Sequence, residues 1–152
     1  MKTIADPEVL QGLTARLGAV TAESQRRWGT LTAHEMLCHL GDSAEMILMV
    51  RPREQPISVR ERRLVKVVGL WTPFRWPHGW RTNPRLDPRQ SGTRPSAFLT
   101  DQQRAIKSLA EIAETREDIL EPVHGIFGRM STHDWQRWAW KHTDHHLRQF
   151  GI

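Results

Sequence analysis

The sequence is poor in the features that mark secreted, membrane-spanning or nucleotide-binding proteins. It holds one cysteine, Cys38, so no disulfide can close within the chain. Its longest strongly apolar run is "MILMV" at 46–50, far short of the roughly 20 residues that cross a bilayer. The opening "MKTIADPEVL" has no apolar stretch of the kind that leads a secreted chain. A cytoplasmic location without membrane association is therefore expected. No Ser-His-Asp signature, Walker loop or dinucleotide fingerprint occurs. Strand-like alternation and internal repeats are also missing, which leaves helical periodicity as the main structural signal.

The 152 residues suit one domain, 1–152, and 38% apolar with 26% charged residues is the balance of a folded chain. Charge is unevenly spread. Between Arg51 and Arg94 ten Arg and one Lys face Glu54, Glu61 and Asp87, a net of +8, so the rest of the chain carries −3 of the total +5. Such a segment suits phosphate, an anionic surface or an acidic small molecule, or is simply solvated.

Helix signals recur along the chain. Asp6 as N-cap, Pro7 at the first helical position and the spacing of Leu10, Leu13, Leu17 and Val20 predict a helix over about 7–21. Thr32 with Glu35 forms a capping-box pattern, and Met36, Leu40, Ile47 and Val50 extend a helix over 33–50, which Pro52 stops. A shorter helix is expected over 58–71. Beyond it lies a proline-rich crossover, with five prolines from Pro73 to Pro95, in which Phe74, Trp76 and Trp80 should be packed. Thr100 and Gln103 suggest another capping box for a helix over 101–120, ended by Pro122. "HGIFGRM" reads as a turn. Ser131 with Asp134 starts a last helix, carrying Trp135, Trp138, His142, His146 and Phe150 on one stripe and stopping at Gly151. The expected class is all-α: a four-helix bundle with a long irregular crossover between the second and third main helices.

The last helix concentrates histidine: "KHTDHHLRQFG" places His142, His145 and His146 within five residues. His142 and His146 are one turn apart on the face shared with Trp135 and Trp138. Burying two imidazoles without partners is costly, so a shared metal is the natural partner. His142 with His145 is also within reach. A third ligand must come from elsewhere, and His39, on a stripe with Met36, Ser43 and Met46, is the candidate. Three imidazoles leave coordination positions open, as catalytic sites do, and suit zinc, nickel, copper or iron. Asp42, one turn beyond His39, is a candidate catalytic base or ligand-orienting group. Asp144 points about 200° from His142 and suits bridging between helices. His34 reads as a first-turn surface residue. His78, His124 and His133 read as structural, and Cys38 as a buried structural thiol. Trp76 and Trp80 are candidate substrate contacts.

The segments "HEMLCHLGDS", "SGTRPSAFLTDQQ" and "GIFGRMSTHDWQRWAWKHTDHHLRQFG" resemble the DinB-like superfamily, in particular a bacterial branch ending in a DHHLRQFG-type motif. The resemblance spans about residues 28–151, and the tail is its most specific part. It implies a DinB-like four-helix bundle, commonly dimeric, with a divalent metal held by one histidine of the second helix and two of the last, which match His39, His142 and His146. Zinc or nickel is the expected metal. Characterised relatives act as transferases and isomerases with low-molecular-weight thiols, whose carboxylates would suit the arginines of the crossover. The resemblance thus implies a metal-dependent thiol transferase acting on a small molecule. The rival readings are a metal-dependent hydrolase with Asp42 as base, and a non-catalytic binding protein with the basic crossover docking nucleic acid. No recognition-helix or finger motif supports the last of these, so no nucleic-acid partner is expected.

Overall fold

The computed structural model describes residues 1–50, 63–79, 82–116 and 120–152. The described chain is mostly helical. Five α-helices occur in it: α1 (Pro7–Gly18), α2 (Ala33–Ile47), α3 (Arg63–Trp71), α4 (Phe98–Glu114) and α5 (Thr132–Gln149). Among the described residues of the crossover lies a 3-10 turn, Pro84–Leu86.

The helix starts follow the polar residues that precede them. Asp6 accepts from the backbone N–H groups of Glu8 and Val9, Thr32 and Glu35 cap each other reciprocally at α2, and Ser131 and Asp134 do the same at α5. At the far end of α5 the N–H of Ile152 reaches Leu147 O and that of Gly151 reaches Arg148 O, with Gly151 at φ 75°. This is a Schellman ending, which favours glycine at the left-handed position. A Cβ there would also lie 2.3 Å from the Arg27 guanidinium.

Four expectations need correction. Thr100 and Gln103 form no cap, because α4 already starts at Phe98 after Ala97, which makes no side-chain cap bond. Asp101 in its first turn instead accepts the Ser96 N–H at 3.1 Å, which fastens the chain entering the helix. The turn at 123–129 is a small antiparallel ribbon, β1 (Val123–His124) with β2 (Gly128–Arg129). Two residues per strand are too few to show alternation. Phe74 is 70% exposed, whereas Trp76 packs on the core and donates to Gly69 O at 2.8 Å. The helices also end earlier than their patterns suggest, α1 at Gly18 and α2 at Ile47. Residues 58–62 of the expected crossover helix, and Trp80, lie outside the described residues.

The core joins Leu13 and Leu17 of α1, Met36, Leu37, Leu40 and Ile47 of α2, Leu109 and Ile112 of α4, and Trp135, Trp138 and Leu147 of α5. α2 packs along α4, α5 closes against both, and α1 packs on α4 and α5. Across this core the crossover is held by polar clamps. The Asp42 carboxylate, with no exposure, accepts from both the backbone N–H and the hydroxyl of Thr93 at 2.7 Å. The Arg104 guanidinium of α4 donates to Asp42 and Glu45 at 3.0 Å and to Cys38 O at 3.2 Å. It crosses α2 over Gly41, where a Cβ would come within 2.9 Å of it. Arg89 of the crossover grips both carboxylate oxygens of Glu35 at 2.6 and 2.7 Å, and this pairing pulls the Glu35 carboxyl down to about 2.

Removing Arg104 would strip the buried Asp42 charge of its guanidinium partner. Arg104→Met is therefore expected to destabilise the fold by about 3 kcal/mol, the usual cost of stranding one half of a buried pair, read as a lowered urea midpoint.

Candidate metal centre

α2 and α5 each bring histidine to one point in the interior. His39 sits on the inner stripe of α2 and is 4% exposed; His146 on α5 is 8% exposed. His142, one turn before His146, keeps partial exposure. The three rings meet at their Nε2 atoms: His142 Nε2 lies 3.1 Å from that of His39 and 3.1 Å from that of His146. All three donor atoms fall within 4.8 Å of one another.

The outer nitrogens decide what those Nε2 atoms carry. His39 Nδ1 lies 2.7 Å from Leu86 O, and a carbonyl only accepts, so Nδ1 bears the proton and Nε2 of the neutral ring is a bare lone pair. His146 Nδ1 is likewise 2.7 Å from the Gln149 amide oxygen. His142 can offer at most one proton at Nε2 to two neighbours that both need one. At least one lone pair thus faces another, and a cation at the centre would accept all three. Burial lowers the proton affinity of His39, and burial followed by the charges of neighbouring histidines holds His142 and His146 well below the usual imidazole range. The rings are therefore neutral near pH 7, the form that ligates metal. Both outer contacts are of the kind that orient ligand imidazoles. The residues present thus fit a divalent cation.

The surroundings fix the rings further. Trp138 stacks on His142 with centroids 4.2 Å apart. The 3-10 turn supplies the Leu86 carbonyl, and Asn83, at its cap, accepts from Arg85 N–H at 3.1 Å. Neither Leu86 nor Gln149 stands out from composition. Gln149 was findable, being three residues after His146 on one helix face; a backbone carbonyl from a loop was not.

The other named residues take different places. Asp42 is one turn past His39, with its carboxylate engaged by Thr93 and Arg104. His145 turns to Trp28, Trp76 and His78, with ring centroids 4.7 to 6.4 Å away, and its buried Nδ1 has no hydrogen-bond partner among the described residues. Asp144 bridges α1 and α5, accepting from Arg16 and Arg148 at 2.8 Å. His124 accepts the Ile126 N–H at the ribbon turn, His78 stacks on Trp28 and His133 on Trp71. Cys38 is fully buried, and desolvation together with the Asp101 charge pushes its thiol up to about 12, which makes it a poor nucleophile.

On the flank of α5 an open cleft of about 230 Å³ is lined by Arg75, Trp76, Trp140, Lys141, Asp144 and Arg148, among others. Trp76, one wall of this cleft, has its ring centroid 6.3 Å from that of His142, whereas the α5 residues that line it lie on the side of that helix turned away from His142. Lys141 is buried and donates to the carbonyls of Gly69, Thr72 and Phe74, so it secures the end of α3 rather than projecting freely.

The chain belongs to the family described as Protein of unknown function (DUF1569), whose family model matches residues 11–151. No curated protein and no solved structure matches it at a significant level.

The depressed proton affinities of the buried His39 and His146 carry a stability consequence. In the unfolded chain an imidazole titrates near 6.5; in the metal-free fold it does so lower, so below about pH 6.5 the unfolded state binds more protons. Metal-free protein is expected to keep its stability above that pH and to lose up to about 1.4 kcal/mol per pH unit for each such histidine below it. Urea midpoints measured from pH 7.5 down to 5 check this; a flat profile counts against neutral buried imidazoles.

Proposed function

We propose that this DUF1569 chain is a metal-dependent enzyme, with zinc or nickel held by the Nε2 atoms of His39, His142 and His146. The reaction we favour is transfer involving a low-molecular-weight thiol and a small-molecule acceptor. The single observation that carries the reading is the meeting of three neutral imidazole nitrogens with their lone pairs turned on one another. A divalent cation there would act as a Lewis acid, lowering the pKa of a thiol or water beside it.

The chain's own residues supply the rest. Leu86 O and Gln149 hold the His39 and His146 rings in the ligating tautomer, and Trp138 holds the plane of His142. The cleft on the flank of α5 offers Arg75 and Arg148 to the carboxylates that small thiols carry, with Trp76 as its wall nearest His142. Asp42 is a positioning group in this reading: by clamping Thr93 it keeps the segment that carries Leu86 against α2. No observation favours it as the base of a hydrolase, because its oxygens already accept from Thr93 and Arg104. The packing of α1, α2, α4 and α5 supports a DinB-like four-helix bundle as the architecture. A homodimer in the cytoplasm completes the proposal.

Elemental mass spectrometry on untagged protein is expected to find bound zinc or nickel, and a His142→Ala/His146→Ala variant to lose about one equivalent while staying folded. Adding a small thiol to the cobalt-loaded Cys38→Ser protein should then change the visible spectrum. Equal metal content in both proteins would sink the site, and an unmoved spectrum would sink the thiol.

A further inference from the structure

A second set of ligating side chains lies on the neighbouring face of α2. His34 and Cys38 are one helical turn apart, so their side chains share a face. Asp101, in the first turn of α4, meets them where the two helices pack. The imidazole nitrogen, the thiol sulfur and a carboxylate oxygen all lie within 4.8 Å of one another. His34 Nε2 is 2.8 Å from Asp101 Oδ2, and the Cys38 sulfur lies within 4.8 Å of the same carboxylate.

We propose that His34, Cys38 and Asp101 form a second divalent-cation site, of the zinc class, that ties α2 to α4. The donor set supports the choice of cation: a thiolate and an imidazole favour zinc or cobalt over magnesium or calcium. The site is also built. Cys38 is fully buried and Asp101 is 5% exposed. The Ser96 N–H fixes the carboxylate from outside the set at 3.1 Å, and Phe98 packs edge-on against the His34 ring at 5.2 Å between centroids. His34 keeps partial exposure, which leaves a path from solvent and room for a fourth ligand. The site is separate from the three-histidine centre, because consecutive residues such as Cys38 and His39 point about 100° apart on a helix.

The proton balance is simple. Without metal, Asp101 accepts from the His34 Nε2–H and Cys38 keeps its S–H proton. On cation binding the His34 proton moves to Nδ1 and the Cys38 proton leaves to solvent, so one proton is released per cation bound.

Cobalt(II) titration in thiol-free buffer tests this without reference to activity. The three-histidine centre offers no sulfur, and Cys38 is the sole thiol of the chain, so a near-ultraviolet thiolate-to-cobalt charge-transfer band reports this site alone. The band is expected in the wild-type protein and in the His142→Ala/His146→Ala variant, and is expected to vanish in Cys38→Ser. His34→Asn and Asp101→Asn should weaken it, with circular dichroism confirming the fold. No band at saturating cobalt in the wild-type protein overturns the proposal and leaves His34 paired with Asp101 beside a buried thiol. So does a band that disappears in the double histidine variant, which would assign the thiolate to the other centre, or one unaffected by His34→Asn and Asp101→Asn. Failure here leaves the three-histidine reading standing, and failure of that reading leaves this band in place.

Discussion

Three neutral imidazoles held nitrogen to nitrogen are the constraint around which this protein is organised. Such an arrangement is unfavourable unless something positive sits among the lone pairs, or unless protons are shared imperfectly. Maintaining it takes three separate pieces of chain. α2 contributes His39, α5 contributes His142 and His146, and the crossover contributes the Leu86 carbonyl that sets the His39 tautomer. The surrounding clamps hold these pieces in register. Asp42 binds Thr93 and Arg104, and Arg89 binds Glu35, so the crossover is fastened to α2 on both sides of His39.

This view also changes the meaning of the basic middle segment. Part of its charge is spent internally: Arg89 on Glu35 and the Thr30 carbonyl, Lys66 on Asp134 and the Arg129 carbonyl. From the opposite side, Arg137 and Lys141 of α5 take the carbonyls at the end of α3 and just after it. Cations therefore dock an irregular segment that has few apolar contacts of its own. Arg75 of this segment lines the cleft on the flank of α5 together with Arg148, which pairs with Asp144.

Much of the helical framework was legible because it rests on local rules. Asp6, Thr32 and Ser131 each precede a helix and each caps it. Thr100 broke the rule because α4 begins two residues before it. Phe98 enters the helix to pack on the core, and Asp101 serves the Ser96 N–H from within. The two-residue ribbon carried no periodic signal, and Phe74 showed that an aromatic residue in a loop is not obliged to be buried. His34 looked like a surface residue from its place in the first turn, but its helical partner Cys38 and the distant Asp101 draw it into a cluster.

The sequence by itself determined what depends on neighbours along the chain: the caps, the shared face of His142 and His146, the inward stripe of His39, and the stop at Gly151. These follow from the helix repeat and from short-range hydrogen bonding, which operate within a few residues. Tertiary structure alone decided which of the clustered histidines would meet. It turned His146 toward His39 and His145 toward Trp28, and it brought the Leu86 carbonyl across 47 residues of chain. It also set Asp42 to holding the crossover. Such outcomes depend on how whole helices rotate and settle against one another, a balance of core packing and buried polar satisfaction that no local pattern encodes.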